Sequence, residues 1–382
     1  MLLRAVSARY ISRKKKQIKD RYMKFLVVTN HSYMLWQFRT ELLLKLQTLG
    51  EVVISMPFKG HHDDFRDLGF KCIDTKLDRR GVNPIEDLGL YRFYKKLLKE
   101  EKPDIVITYS IKPNVYMGYL CRRKKISYVV NVQGLGTAFQ SQPMATVATM
   151  MYKAGLKKAK SVFFENQANA DEFVNRGIIP KEKEVVLNGA GVNLEKYSYQ
   201  PYPGEENGVH ILYLGRIMRE KGIDETFAAM RKIKSEYGDK VVFDVVGFFE
   251  DEYKETVEQL EKDGVIVFHG FQPEPRPYYA AAHVVVLASY HEGMSNVLLE
   301  ACATGRAIIT TDIPGCREAV DEGVNGFLCK KQDVDTLVDC MRKFLDLTSE
   351  QRVEMGTQAR AKMKKEFDKN LVVKRSVENI LQ

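Results

Sequence analysis

The sequence predicts an α/β protein built of two doubly wound domains that face each other across a cleft. Three observations predict it. Short apolar runs alternate with stretches of helical periodicity along the chain, which implies right-handed βαβ units and parallel sheets covered on both faces. The runs fall into two series separated by Tyr199–Gly208, a segment rich in Pro, Gly, Tyr and Glu with no periodicity, read as a linker. The 382 residues suffice for two domains, at roughly 100–200 residues each.

The first series begins with the run Lys24–Thr29, read as a buried parallel strand. A helix is expected over Phe38–Leu49, with Gly50 as its C-terminal stop. Strands follow at Val52–Ser55, Asp104–Thr108, Tyr128–Asn131 and Ser161–Phe164. The second series comprises Val209–Leu214, Val241–Val246, Val265–Phe268, Val284–Leu287 and Ala307–Thr310. The expected division is a basic extension over residues 1–22, a first domain over 23–200 and a second over 205–365. Ligands of such sheets sit beyond the carboxyl ends of the strands, and two facing sheets make a cleft suited to a two-substrate transfer.

Composition narrows the function. Hydrophobic residues make up 45% and charged residues 29%, enough for an ordinary core in each half. The net charge is +9. Residues 1–22 hold eight basic residues against Asp20 alone, or +7, which leaves +2 for the rest. A nearly balanced body does not predict a nucleic-acid partner. The six cysteines form no CxxC pair and no metal-ligand spacing, so reduced thiols in a cytosolic enzyme are expected. No run of 18 apolar residues predicts a membrane span, and the N-terminus lacks the apolar region of a secretory signal. The basic extension has two readings. It is a surface helix touching anionic lipid through Leu2, Leu3, Val6, Tyr10 and Ile11, or Met23 is the true start.

The strongest chemical signal is His291–Glu300. It follows a predicted strand and opens a helix, and Glu292 and Glu300 are separated by seven residues. Backbone N–H groups around Gly293, Met294, Ser295 and Asn296 would lie at the helix start, where the dipole favours an anion such as a diphosphate. Gly293 lets the backbone approach closely. Glu292 would accept hydrogen bonds from sugar hydroxyls and Glu300 from ribose hydroxyls. The competing reading has Ser295 as a plain cap and Glu300 paired with a nearby base. A second signal, Gly215-Arg216 through Lys221-Gly222, ends the first strand of the second series. Arg216 and Lys221 can converge on a leaving phosphate, whose developing charge fixed cations stabilise. No metal is then obligatory. The competing reading is a solvated basic turn.

Together these pieces resemble glycosyltransferase family 4, whose donor domain carries an arginine and lysine spaced as Arg216 and Lys221 are, followed by the E-x7-E element matched by Glu292 and Glu300. Gly247 ends a strand as in the family's V-G-x-G region, with Phe248-Phe249 in place of the second glycine. Thr310–Glu318 and Asn325–Leu328 resemble the segments that follow the donor helix. The resemblance covers Lys24 to the C-terminus. It implies a GT-B fold of two Rossmann-like domains, retention at the anomeric carbon, and a terminal helix over about 366–382 that packs back on the first domain. Ile111–Tyr116, Asn131–Gly136 and Asn188–Asn193 resemble members that build capsule, O-antigen and lipid-linked glycan precursors. Those members imply a UDP-sugar donor, as co-substrate with no separate cofactor, and an undecaprenyl-diphosphate-linked acceptor. Gly189 and Gly191 would face the donor phosphates, and Gly134 and Gly136 would border the acceptor.

Two departures are visible. The loop Asn30–Met34 lacks the glycines many members have there, so His31 and Ser32 are the residues expected at that acceptor edge. Near Thr108–Lys112 no histidine matches the one many members carry. Lys112 would polarise the leaving group or bind acceptor phosphate, or is a surface lysine; Asn114 is its expected acceptor-side neighbour. Glu165-Asn166 is a site edge or a helix cap. Asp333-Val334-Asp335 reads as an acidic helix start rather than a metal string. The basic pairs Arg79-Arg80 and Arg122–Lys125 read as solvated faces, or as headgroup contacts in a protein with a lipid-anchored acceptor.

The expected activity is therefore retaining transfer of a hexose or N-acetylhexosamine onto a lipid-linked acceptor, at the cytoplasmic face of the plasma membrane. No carboxylate pair suits a double displacement; a front-face route fits the family. The alternatives are a UDP-sugar epimerase of the same architecture, or a non-catalytic partner that binds nucleotide sugar.

Overall fold

The computed structural model describes residues 22–75, 84–136, 139 and 142–382. Residues 1–21 of the basic extension and the pair Arg79-Arg80 lie outside them. The first half forms a parallel sheet of seven strands: β1 (Met23–Val28), β2 (Gly50–Met56), β3 (Lys71–Asp74), β4 (Ile105–Tyr109), β5 (Ser127–Val132), β6 (Val162–Phe164) and β7 (Glu184–Val186), in the order β3-β2-β1-β4-β5-β6-β7. The second half forms six: β8 (Val209–Leu214), β9 (Val241–Val246), β10 (Val267–Phe268), β11 (Val284–Leu287), β12 (Ala307–Thr311) and β13 (Gly326–Cys329), in the order β10-β9-β8-β11-β12-β13.

Strand chemistry follows from burial on both faces. In β1, Leu26 and Val28 enter the hydrophobic cluster on one side of the sheet, and Phe25 and Val27 enter the cluster on the other. A parallel strand covered by helices twice over needs no polar face, so its sequence reads as continuous apolar residues. Three short strands escaped the sequence reading as runs. β3 and β7 are edge strands of four and three residues, too brief and too polar for periodicity to register. β13 was visible only by resemblance.

One expectation is corrected here. Gly50 does not stop the first helix. That helix runs Ser32–Gln47 and ends on Thr48, and Gly50 opens β2. A side chain at Gly50 would strike the Met23 carbonyl oxygen at 1.8 Å, so the glycine serves the packing of β2 on β1.

Both sheets reverse strand order at their centre, between β1 and β4 and between β8 and β11. The crevices at such switch points are where open parallel sheets bind ligands. The loops of Gly215–Gly222 and Ser289–Asn296 leave the second switch point; those of Thr29–Ser32 and Ser110–Lys112 leave the first.

The C-terminus returns. Helix Ser349–Lys362 belongs to the second half, a π-turn Met363–Phe367 crosses over, and helix Lys369–Leu381 packs on Ser32–Gln47 of the first. Val372, Val377 and Ile380 enter the first sheet's core. At the crossing, Val192 N–H donates to Phe367 O at 2.7 Å and Lys369 N–H to Val192 O at 3.0 Å. The other connection is held by Arg306, fully buried. Its guanidinium donates to the carbonyls of Gln200 and Pro201 in the linker and of Tyr279, Ala280 and Gly305.

Candidate active site between the two sheets

The helix Asn296–Thr304 starts at the second switch point, immediately after the loop of Glu292 and Gly293. Ser295 occupies the N-cap position but makes no side-chain cap bond. Its own N–H donates to Gly315 O at 2.8 Å. First-turn N–H groups have no partner within a helix, so here they are left to water or to an anionic ligand, with the dipole in favour of the anion.

Beside that helix start stands an ion pair. Lys221 Nζ lies 2.5 Å from Glu292 Oε1, and the Ser289 hydroxyl donates to the same oxygen at 2.8 Å. Both side chains are mostly covered, at 18% and 13% exposure. The two contacts converge on Oε1. Lys221 comes from the turn after β8, where a 3-10 turn Arg219–Lys221 ends on Gly222. Gly222 has a φ of 67°, and a side chain there would meet the Ala288 carbonyl oxygen at 1.9 Å. Only glycine joins the two loops so closely. Arg216 lies farther out, 3.4 Å from Glu250 and 40% exposed. Gly247 packs its backbone on Gly215 O. Lys221 and Glu292 are thus brought together directly, with Arg216 at the rim.

Glu300 lies one turn into the helix and borders a cavity of about 300 Å³ between the halves. Trp36, Phe38 and Glu41 line it from the first helix, and Lys196, Tyr197 and Lys369 from the crossing segments. The Tyr279 hydroxyl donates to Glu300 Oε2 at 2.9 Å. Burial pushes the Glu300 carboxyl up to about 7 against the pull of Tyr279, Tyr197, Lys196 and Lys369. Burial also pushes the Lys369 ammonium down to about 8; it donates to Phe38 O at 3.2 Å. Tyr33, in the first turn of helix Ser32–Gln47, is raised by burial and then by the charge of Glu300, so it approaches from the opposite sheet.

The first half grips the loop of the second. Asn166 Nδ2 donates to Gly293 O at 2.6 Å, while its own Oδ1 caps helix Gln167–Asn175. Asn166 therefore serves both as cap and as site edge. A side chain at Gly293 would stand 1.8 Å from Gln133 O and 2.9 Å from Glu165 Oε2. Glu165 is held by buried Arg39 at 2.5 Å, yet burial still raises its carboxyl. Gly134 faces Gly293 Cα at 3.8 Å, and Gly136 opens onto free space.

The remaining expected residues are engaged within the protein. Gly191 lines the cavity that Glu300 borders, and its missing side chain makes room for the Lys369 backbone at 2.9 Å. Gly189 faces Met294, whose side chain would meet a β-carbon there at 2.5 Å. Ser32 spends its hydroxyl on Lys59 O at 2.7 Å, which ties down the loop after β2. His31 is the N-cap of helix Ser32–Gln47, its Nδ1 accepting from Met34 N–H at 3.1 Å. Asn114 is 1% exposed and donates to Asn131 O, so it cannot meet an acceptor. Lys112 is paired with Asp87 at 2.8 Å, and Tyr116 donates to the same carboxylate. His291 lies exposed beside Lys331. Asp333 caps helix Val334–Leu345, and Asp335 pairs with Lys232. Among the described residues no cluster of three or more His, Cys, Asp or Glu could hold a metal ion.

The sequence profile of the glycosyl transferases group 1 matches residues 200–362, and that of the glycosyl transferase 4-like domain matches residues 24–166. This chain is a family 4 glycosyltransferase. It is 25% identical over 360 residues to the N,N'-diacetylbacillosaminyl-diphospho-undecaprenol alpha-1,3-N-acetylgalactosaminyltransferase of Campylobacter jejuni, covering 89% of this chain and 94% of that one. It is 24% identical over 310 residues to the capsular polysaccharide biosynthesis glycosyltransferase CapM of Staphylococcus aureus, covering 75% and 80%. Among solved structures, Anabaena HepE in complex with UDP and glucose matches with a TM-score of 0.78 at 18% identity, over 94% of this chain and 99% of that one. A Rickettsia africae glycosyltransferase matches with a TM-score of 0.78 at 19% identity, over 94% and 98%. The fold of the glycosyltransferase is GT-B. Sequence reasoning had no signal for Arg39, Lys196, Tyr197 or Lys369, which reach the glycosyltransferase site from elements without a motif.

Proposed function

We propose that this glycosyltransferase moves a hexose or N-acetylhexosamine, with retention, from a UDP-sugar to an undecaprenyl-diphosphate-linked saccharide, and works at the inner face of the plasma membrane. The observation that carries the proposal is the Lys221–Glu292–Ser289 cluster beside a helix start without a side-chain cap. A diphosphate seated on the Gly293–Asn296 amides would lie next to Lys221 and Arg216, which offset the charge that builds on the departing phosphate. Glu292 accepts from a hydroxyl of the transferred sugar, and Glu300 accepts from the ribose. The grip of Asn166 and Gln133 on Gly293 brings the acceptor sheet over the donor loop and excludes water. The name of the C. jejuni relative supports the acceptor class, and HepE with UDP supports the nucleotide. No helix of the described residues is long and apolar enough to cross a membrane, in keeping with a peripheral location.

The test is UDP release from a panel of UDP-sugars, with and without undecaprenyl-diphosphate-linked acceptors. Release from one donor that depends on an acceptor supports the proposal; a changed sugar without release indicates an epimerase instead. In Glu292→Gln, kcat should fall about 100-fold or more at an unchanged melting temperature, on the scale of one lost transition-state contact. Near-normal turnover would sink the assignment.

A further inference from the structure

From residue 105 to residue 164 the chain contains nine lysines and arginines and not one aspartate or glutamate. That stretch carries +9 within a body whose net charge outside residues 1–22 is only +2. Much of it forms one face of the first half. Helix Gly118–Lys124 packs on helix Gln142–Leu156 so closely that a side chain at Gly118 would meet Gly155 O at 2.7 Å. The end of the first helix is Arg122-Arg123-Lys124-Lys125, and Arg122 donates to Ala154 O at 3.0 Å across the contact. The end of the second supplies Lys153, Lys157 and Lys158, all exposed. Lys183 joins them through a hydrogen bond to Lys157 O.

The same second helix exposes Met144, Val147 and Met150, at 52%, 52% and 59%. Spaced three apart, they fall within an arc of about 120° on the helix surface, and Lys153 continues the row. The opposite side of this helix, through Ala145, Ala148 and Tyr152, is buried in the core. An apolar row continued by lysines, on a helix that carries no acidic residue, is the pattern of a surface that enters the headgroup region of an anionic bilayer: the apolar side chains insert, the cations stay with the phosphates.

We propose that this face, Met144, Val147 and Met150 with the basic ends of the two helices, is where the protein docks on an anionic lipid surface. A two-fold dimer through the same row would set this predominantly basic face against its own copy, which the charge opposes. The helix begins six residues after Gly136, whose neighbour Gly134 faces Gly293. Docking therefore brings the bilayer to the first sheet's side of the cleft. This rests on the lipid-linked acceptor proposed above.

The test is sedimentation of the full chain with vesicles, without substrates. Vesicles of phosphatidylglycerol mixed with phosphatidylcholine are compared with phosphatidylcholine alone. The parent should prefer the anionic vesicles. M144S/V147S/M150S should lose about tenfold or more in partition. K153Q/K157Q/K158Q should lose on the order of a hundredfold, at roughly fivefold per basic residue. Both variants should keep their melting temperature and their turnover of a water-soluble short-chain acceptor. Unchanged partition of both variants overturns the proposal and leaves lipid contact to residues 1–22. A dimer in solution that M144S/V147S/M150S abolishes, with partition unchanged, overturns it in favour of a second copy. Because vesicles are used without substrate, failure here is distinguishable from failure of the acceptor assignment, which would show as absent turnover in the parent.

Discussion

Glu300 offers the sharpest test of how the donor is held. Its carboxyl sits near 7 because burial disfavours its charge. At pH 6 about one-tenth of the molecules carry the carboxylate and at pH 8 about nine-tenths. Ribose hydroxyls that donate to the carboxylate favour the charged form, so donor binding should expel a proton. Affinity for a UDP-sugar, which has no titrating terminal phosphate, should rise about tenfold from pH 6 to pH 8. Other titratable groups face it: Lys196 and Lys369 from the crossing segments, and Tyr33 from the first turn of helix Ser32–Gln47. Lys369 loses its proton near 8, so affinity should level or fall above that pH. Calorimetry in two buffers of different ionisation enthalpy should find about half a proton released per donor bound at pH 7. In Glu300→Gln the release should vanish and affinity should drop roughly 10–100-fold, the loss of about 1.5–3 kcal/mol of charged hydrogen bonding. Stability runs the other way. A carboxyl raised from 4.5 contributes stability below that pH and loses it as pH rises through about 7. Glu300→Gln should therefore melt higher than the parent at pH 8 and alike at pH 4. A parent whose donor affinity is flat between pH 6 and 8, like that of Glu300→Gln, would refute the ribose role.

Three further outcomes are expected. Gly293→Ala places a β-carbon 1.8 Å from Gln133 O, so the halves must part; X-ray scattering should show a larger radius of gyration, with transfer lost. Arg306→Met leaves five carbonyls without their cation and should cost on the order of 4 kcal/mol, read as a lower urea midpoint. With Lys221 and Arg216 as the leaving group's counter-charges, transfer should survive excess EDTA within about twofold; a complete, magnesium-reversible loss would show that metal supplies that charge.

The two-sheet architecture was legible because central strands buried on both faces must be mostly apolar, and β1, β8, β9 and β11 are, with Lys24, His210 and Asp244 as their polar exceptions. The donor loop was legible too, since a strand, a glycine turn and a helix start are local in sequence. The acceptor edge was not. Ser32 and Asn114 carry groups that a sugar phosphate would use, but their hydroxyl and amide are spent on Lys59 and Asn131 carbonyls, partners 27 and 17 residues away.

By itself the sequence determined the alternation of strands and helices and the strand, glycine turn and helix start that carry Glu292 and Glu300, because each rests on contacts within a few residues. Only the tertiary structure decided which charges meet. Lys221 pairs with Glu292 across 71 residues, Arg39 reaches Glu165 across 126, and Lys369 enters the Glu300 cavity from the far end of the chain. Desolvation sets the protonation of such groups, and it depends on neighbours that chain folding, not spacing, brings together.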